Sequence, residues 1–286
     1  MSSTASQQPT VPGVSGAKPP SNLALRLATA APWVPLILYL LYWSPPWGFP
    51  LAAAIVGGLG ARELFAMVAP RHLVLRTWGL VASVSFVALI AASPPAHLLV
   101  LGLVAIVCGG MLSTLVSPLP IEDAAARMGW AVAGPLYVGG LFGAIALVYL
   151  RGSGSWTLLA MLCGFISDTA GYFVGRHWGK HPLMPSVSPK KTIEGSIAGL
   201  AGGVASGIVA HFWFLPELAL LPAIVLSLAA TAMGQAGDLC ESVVKRATGV
   251  KESGGVLPGH GGILDRADAM LFSAATIYAY LVMIQA

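Results

Sequence analysis

Three polar clusters in the second half of the chain carry the residue types that phosphate and metal chemistry requires. The first spans residues 163–180, where Asp168 and Arg176 interrupt a run of apolar residues. On a helix, Gly171 and Gly175 share one face with Asp168. A carboxylate within an apolar span of membrane type is costly, faces the helix bundle and is a candidate functional residue. The alternative is an ion pair between Asp168 and a neighbouring arginine that serves structure alone.

The second cluster spans residues 186–199 and contains two adjacent lysines. Ser188 followed by Pro189 predicts a helix start, with the serine as N-cap and the proline in the first turn. Lys190 and Lys191 then stand at a helix N-terminus, which already favours anions. These features together predict a phosphate site. A juxtamembrane basic pair that sets topology or attracts anionic lipid headgroups explains the same residues equally well.

The third cluster spans residues 234–268 and begins with a polar stripe. Its members recur at i, i+3, i+4 and i+7, which predicts one continuous face on a helix that leaves the membrane. They are Asp238, Glu241, Ser242 and Lys245.

Two further carboxylates, Asp265 and Asp268, open the last apolar run and also share a helix face. The glycines between the two acidic faces let the backbone approach a ligand closely; they are Gly254, Gly255, Gly259, Gly261 and Gly262. Carboxylates from two helix ends, with Lys and Arg around them, suit Mg²⁺ shared with substrate phosphates. A solvated loop explains one or two of these charges but not the glycine density. His260 fits a structural histidine as well as a catalytic one.

Composition identifies the kind of protein that must position these residues. Hydrophobic residues make up 56% of the 286 residues and charged ones 9%, whereas a soluble domain averages about 25% charged. The chain is therefore predicted to be an integral membrane protein. The net charge of +4 is better explained by basic cytoplasmic loops than by a nucleic-acid partner, which we do not expect.

Nine apolar runs predict an all-α, polytopic fold with about nine transmembrane helices. They cover residues 23–43, 47–69, 78–92, 98–116, 129–150, 156–175, 197–214, 218–236 and 269–284. Residues 1–22 are rich in Ser, Pro and Gly and are predicted to be a disordered tail. Residues 23–150 then form the N-terminal helices, and residues 151–286 form the half that carries the polar clusters. The sequence indicates no partner for Arg62 and Glu63.

The distribution of basic residues predicts the orientation. Fourteen of the fifteen Lys and Arg residues fall on alternate connections, with Arg151 as the exception. Because basic residues collect on the cytoplasmic side, the N-terminus is expected in the cytoplasm and the C-terminus outside. The loops at residues 176–196 and 237–268 then share the cytoplasmic side of a multi-pass protein of the cell inner (plasma) membrane.

The residues of the third cluster also match a known signature. The pattern S-x-x-K-R-x4-K-E-S-x-x-x-L-P-G-H-G-G-I-L-D-R-x-D, from Ser242 to Asp268, closely resembles that of phosphatidate cytidylyltransferases, also called CDP-diacylglycerol synthases. SDTAGYFVGRHWGK and SPKKTIEG resemble the family's two upstream motifs, in the expected order. The resemblance is strong over residues 160–286, and the N-terminal half agrees only in being multi-spanning. Glu252 and Ala267 depart from the pattern, where Asp and a larger apolar residue are usual.

The resemblance implies an all-helical membrane enzyme, often a dimer, that converts CTP and phosphatidate to CDP-diacylglycerol and pyrophosphate with Mg²⁺. It points to Asp238 and Asp265 as metal ligands, and burial and spacing add Asp168 and Asp268 as further candidates. The residues predicted to act in catalysis are Asp238, Lys245, Asp265 and Arg266. Those predicted to hold substrate phosphates are Arg176, Lys190, Lys191, Arg246 and His260.

Two alternatives remain open at this point. A related CTP-dependent membrane enzyme acting on another lipid phosphate or on a polyprenol would carry the same motifs. A secondary transporter would use Asp168 as an ion or proton site. Transporters commonly show internal repeats and broken helices near the midplane. The chain shows no convincing repeat and gathers its polar residues at one edge, which disfavours a transporter.

Overall fold

The computed structural model of the protein describes residues 32–116, 120–255 and 261–285. The disordered tail predicted for residues 1–22, the start of the first predicted span and the role of His260 lie outside these ranges and stay predictions.

Nine α-helices dominate the described residues. In chain order they are α1 (Trp33–Tyr42), α2 (Gly48–Val68), α3 (Leu73–Ala91), α4 (Ala96–Val116), α5 (Ala124–Arg151), α6 (Gly154–Trp178), α7 (Ile193–Trp213), α8 (Leu220–Ala247) and α9 (Leu264–Gln285). A short 3₁₀ turn, Ile121–Asp123, precedes α5. Helices α2 to α9 are each long and apolar enough to cross a membrane, whereas the described part of α1 has 10 residues. The prediction of an all-α protein with many membrane spans is confirmed.

Two helices extend beyond their predicted spans into the motif regions. α8 continues past residue 236 to Ala247, so the polar stripe from Asp238 to Lys245 is helical, as predicted. α6 continues to Trp178 and therefore carries Arg176. The connections are shorter than the predicted loops at 176–196 and 237–268, because the polar ends of those loops are helical turns. Such turns satisfy their own backbone hydrogen bonds while presenting polar side chains to neighbouring helices.

The connection between α6 and α7 contains a small antiparallel hairpin. Its strands are β1 (Pro182–Met184) and β2 (Ser188–Thr192). The prediction that Ser188 caps a helix was wrong, because Ser188 begins a strand. Thr192 is the cap instead: its side chain accepts a hydrogen bond from the backbone N–H of Gly195. Proline is tolerated here because a two-stranded sheet has only edge strands.

Helix α9 lies at the centre of the bundle and joins the two halves of the chain. It packs against α5, α6 and α8, and its first turn reaches α2. Small residues allow these helices to approach closely, as is common in membrane bundles. A Cβ on Gly164 of α6 would lie 3.0 Å from the backbone nitrogen of Met270, and one on Gly234 of α8 would lie 2.8 Å from the carbonyl oxygen of Ala269.

The two motif connections lie at the same end of the bundle. Arg246 Nε, at the end of α8, donates to the carbonyl oxygen of Val187 in the hairpin at 3.2 Å. The prediction that these connections share one side of the membrane agrees with this contact. Which side that is remains a prediction.

Candidate active site

A cavity of about 600 Å³ lies where α6, α7 and α8 meet the hairpin. Its wall carries five residues that the sequence analysis associates with phosphate or metal binding, and they come from all three polar clusters. They are Asp168, Arg176, Lys190, Lys191 and Asp238. The lysines reach the cavity although they stand on a strand rather than at a helix N-terminus.

Opposite charges meet at the cavity wall. Lys191 Nζ forms an ion pair with Asp238, and both side chains keep contact with solvent, at 30% and 21% exposure. Arg176 Nη1 donates to the hydroxyl of Tyr172, one turn earlier on α6, at 2.6 Å. The guanidinium is thus oriented along the wall. The cavity offers an anion three cationic side chains, counting the exposed Lys190.

A network of uncharged polar groups also lines the cavity. Gln235 Nε2 donates to the Ser167 hydroxyl at 3.1 Å and to the carbonyl oxygen of Ser196 at 3.0 Å, and the Ser196 hydroxyl donates back to Gln235 Oε1 at 2.5 Å. These bonds fasten α6, α7 and α8 together directly below the charged groups. None of these three residues is among the site residues predicted from the sequence. Their signal is the position of Gln235 within an apolar run, three residues before Asp238.

Lys245 lies outside the wall of this cavity, in a buried ion-pair cluster between α8 and α9. Its Nζ is 2.6 Å from Asp265 Oδ1 and 3.1 Å from Glu241 Oε1. The side chains of Lys245 and Asp265 are each 11% exposed and that of Glu241 is 1% exposed. The predicted role of Lys245 in catalysis stays a prediction. In the structure its ammonium forms ion pairs with both carboxylates.

The second oxygen of Asp265 organises the turn that precedes α9. Oδ2 accepts from the backbone N–H groups of Ser253 and Gly262 at 2.8 and 2.9 Å, and from the Ser253 hydroxyl at 3.0 Å. A carboxylate with this many donors is strongly held. Both oxygens of Asp265 are therefore bonded within the protein.

Asp268 and Arg266 connect the ion-pair cluster with the cavity. Asp268 is buried at 4% exposure on the first turns of α9. It lies close enough to Asp238, Glu241 and Asp168 for electrostatic interaction. Arg266 is exposed and interacts electrostatically with Asp168. The two groups of charges are therefore neighbours in one polar region at the end of the bundle.

Arg246 and Glu252 occupy the outer edge of this region. Arg246 is exposed and ties the hairpin to the end of α8 through Val187, with a second, longer bond from Nη1 to the carbonyl oxygen of Val250 at 3.5 Å. Glu252 is also exposed. Neither residue lines the cavity wall, so the assignment of Arg246 to phosphates stays a prediction.

The cavity suits a magnesium ion that is shared with a substrate. Asp168 and Asp238 both line it and interact electrostatically with each other. Mg²⁺ prefers carboxylate oxygens and usually takes one or two of them, with water and phosphate oxygens completing its shell. Within the described ranges no group of three or more His, Cys, Asp or Glu is arranged to hold a metal by itself. The residues present therefore fit a Mg²⁺ that Asp238 and Asp168 hold together with a bound phosphate group.

Comparison with known proteins gives an independent result. The cytidylyltransferase family model matches residues 24–284. A phosphatidate cytidylyltransferase from Brucella suis is 34% identical over 276 residues, which cover 91% of this chain and 93% of the relative. One from Mycobacterium bovis is 38% identical over 166 residues, 57% of this chain and 52% of the relative. One from Staphylococcus saprophyticus is 40% identical over 149 residues, 52% of this chain and 56% of the relative. The family match includes the N-terminal half of the chain. The motifs lie in the C-terminal half, and without the family match the N-terminal half resembled the family only in having several spans.

Proposed function

Because the chain belongs to the cytidylyltransferase family, we propose that it transfers the cytidylyl group of CTP to phosphatidate. The products are CDP-diacylglycerol and pyrophosphate. The observation that carries the proposal is the cavity at the end of the bundle, where Arg176, Lys190 and Lys191 face Asp238 beside Asp168. A site for two phosphate-bearing substrates needs cationic donors together with carboxylates for a metal.

The position of the cavity suits one water-borne and one lipid substrate. α8 changes from an apolar to a polar sequence just before Asp238, so the charged part of the cavity lies near the membrane surface. A phosphatidate headgroup reaches this level while its acyl chains stay among the apolar helices. CTP arrives from the aqueous side, where the exposed Lys190 and Arg176 meet its phosphates.

The reaction is a displacement at phosphorus. An oxygen of the phosphatidate phosphate attacks the α-phosphorus of CTP, the bond from that phosphorus to the bridging oxygen breaks, and pyrophosphate leaves. The attacking oxygen is already anionic, so no strong general base is required. Catalysis comes from holding two repelling anions in line and from stabilising the charge that develops on the leaving group.

Each charged group on the cavity wall has a part in this scheme. Lys191, Lys190 and Arg176 donate to phosphate oxygens, and the bond to Tyr172 holds the guanidinium in place. Asp238 pairs with Lys191 before substrate binds and, with Asp168, provides carboxylate oxygens for Mg²⁺. A bound Mg²⁺ neutralises phosphate charge and acts as a Lewis acid. Asp265 remains the second predicted ligand, and both of its oxygens already accept hydrogen bonds within the protein.

Orientation and assembly are part of the proposal. Asp238, Lys191 and the rest of the charged end face the cytoplasm, where CTP is available, and the N-terminus lies on the same side. The alternation of basic connections supports this orientation. A homodimer is expected from the family resemblance.

A direct assay tests the proposed function. The purified protein in detergent micelles is given labelled CTP, Mg²⁺ and phosphatidate, and CDP-diacylglycerol and pyrophosphate are measured. Parallel reactions contain a polyprenyl phosphate or another lipid phosphate in place of phosphatidate. We expect product only with phosphatidate, and Asp238→Asn should abolish most of it. Turnover with a polyprenyl phosphate and not with phosphatidate would assign the site to the related class of enzymes.

A further inference from the structure

A buried carboxylate of the N-terminal half reaches the turn before α9. Glu63, near the end of α2, is 5% exposed. Its Oε1 accepts from the backbone N–H of Ile263 at 3.0 Å, and its Oε2 accepts from that of Leu264 at 3.1 Å. The first N–H groups of a helix have no partner within the helix. Glu63 therefore caps α9 although it lies about 200 residues earlier in the chain.

The same carboxylate is linked to Asp265 through one hydroxyl group. Ser253 Oγ lies 3.1 Å from Glu63 Oε2 and 3.0 Å from Asp265 Oδ2, so its single proton can be donated to either carboxylate. Ser253 is itself buried, at 5% exposure. Any displacement of Glu63 is therefore transmitted to the turn that holds Asp265.

Two glycines make room for Glu63. A Cβ on Gly254 would lie 2.5 Å from Glu63 Oε1, and one on Gly262 would lie 2.6 Å from Oε2. From the sequence, both glycines are predicted to let the backbone approach a ligand. The structure corrects this interpretation: at these positions the backbone approaches a carboxylate of the protein itself.

We propose that Glu63 is a positioning residue for the reaction. A buried carboxylate is costly unless donors surround it, and the N-terminus of a helix stabilises negative charge. Glu63 and the turn before α9 therefore hold each other in one arrangement. That arrangement sets the direction of Asp265 and Arg266 toward the charged end of the bundle. The N-terminal half thus takes part in building the site. This inference rests on the proposed function, because the turnover measured in its test is that of the proposed reaction.

The test compares Glu63→Gln with Arg62→Gln on the neighbouring, exposed position of α2. Glutamine keeps the size of the side chain but loses the charge and can place an amide donor against the N–H groups. We expect kcat to fall at least about tenfold, or about 1.4 kcal/mol of barrier, with KM for CTP changed by less than about threefold. Hydrogen exchange without substrate should become faster in peptides covering residues 261–268. Glu63→Asp, which keeps the charge, should retain more activity than Glu63→Gln. Arg62→Gln should match the wild type in turnover and exchange.

Several results would overturn the proposal. The proposal fails if Glu63→Gln and Arg62→Gln have equal turnover. If Glu63→Gln exchanges faster at residues 261–268 but has normal turnover, Glu63 caps α9 without affecting the reaction. If Glu63→Gln does not fold, Ser253→Ala removes only the bridging hydroxyl. It should lower kcat about fivefold, because the hydroxyl bonds to both carboxylates and accepts from the backbone N–H of Asp265. Wild-type turnover would refute the link. If the wild type makes no CDP-diacylglycerol, the proposed function fails, whereas the exchange comparison still tests whether Glu63 holds the turn.

Discussion

Replacing Lys245 with methionine tests whether this lysine holds the protein together or binds substrate. The ammonium is 3.1 Å from Glu241 Oε1 and 2.6 Å from Asp265 Oδ1, in a cluster whose side chains are at most 11% exposed. Methionine keeps much of the length but leaves two neighbouring buried carboxylates without a cation. Removing one partner of a buried ion pair costs about 3–5 kcal/mol. At roughly 2–3 °C per kcal/mol for a chain of this size, Tm should fall by about 6–15 °C.

The assay is thermal unfolding in detergent micelles, followed by tryptophan fluorescence, with turnover measured well below Tm. Lys191→Met is the informative comparison because Lys191 and Asp238 are 30% and 21% exposed. We expect it to lose most turnover but less than about 1 kcal/mol of stability. Lys251→Met is the stability control, since Lys251 is exposed and surface changes usually stay within about 0.5 kcal/mol.

A double variant tests whether the unpaired carboxylate charge causes the loss of stability. Adding Glu241→Gln to Lys245→Met removes one of the two carboxylate charges left behind, so part of the lost stability should return. The structural account would be refuted if Lys245→Met melted like the wild type and yet had no turnover. That result would place the Lys245 ammonium at the substrate phosphates.

The remaining predictions concern the metal, the unusual glutamate and the topology. Asp238→Asn should abolish most turnover with little change in Tm. Asp265→Asn should lower both turnover and Tm, because Asp265 also holds Lys245 and the turn before α9. If the Mg²⁺ concentration for half-maximal turnover is unchanged in both variants, the metal assignment is contradicted. Glu252→Asp should stay within a few-fold of wild-type turnover, because Glu252 is exposed and off the cavity wall; a hundredfold loss, about 2.7 kcal/mol of barrier, would place it in the site. A reporter that works only outside the cytoplasm should be active after Ala286 and silent near Gly249, and the opposite pattern would reverse the orientation.

The sequence by itself determines the class of the protein, most of its helices and the identity of its motif residues. These features are local. A run of about 20 apolar residues spans a membrane whatever its neighbours are, and the spacing from Asp238 to Lys245 produces a polar helix face without reference to other elements. The same spacing predicted that α8 continues beyond the apolar run, and the structure confirms this. The family resemblance is local as well, because it rests on three continuous runs of residues, 167–180, 188–195 and 242–268.

Only the tertiary structure decides which charges meet. Serine followed by proline predicts a helix start at Ser188, but pairing with β1 makes that segment a strand, and Thr192 is the cap instead. Lys245 is among the residues predicted to act in catalysis, and packing of α9 against α8 places it between two carboxylates. Glu63 had no readable partner, because the amides it caps lie about 200 residues away. Contacts over such separations depend on how the helices pack, and the spacing of residues within one segment carries no information about that packing.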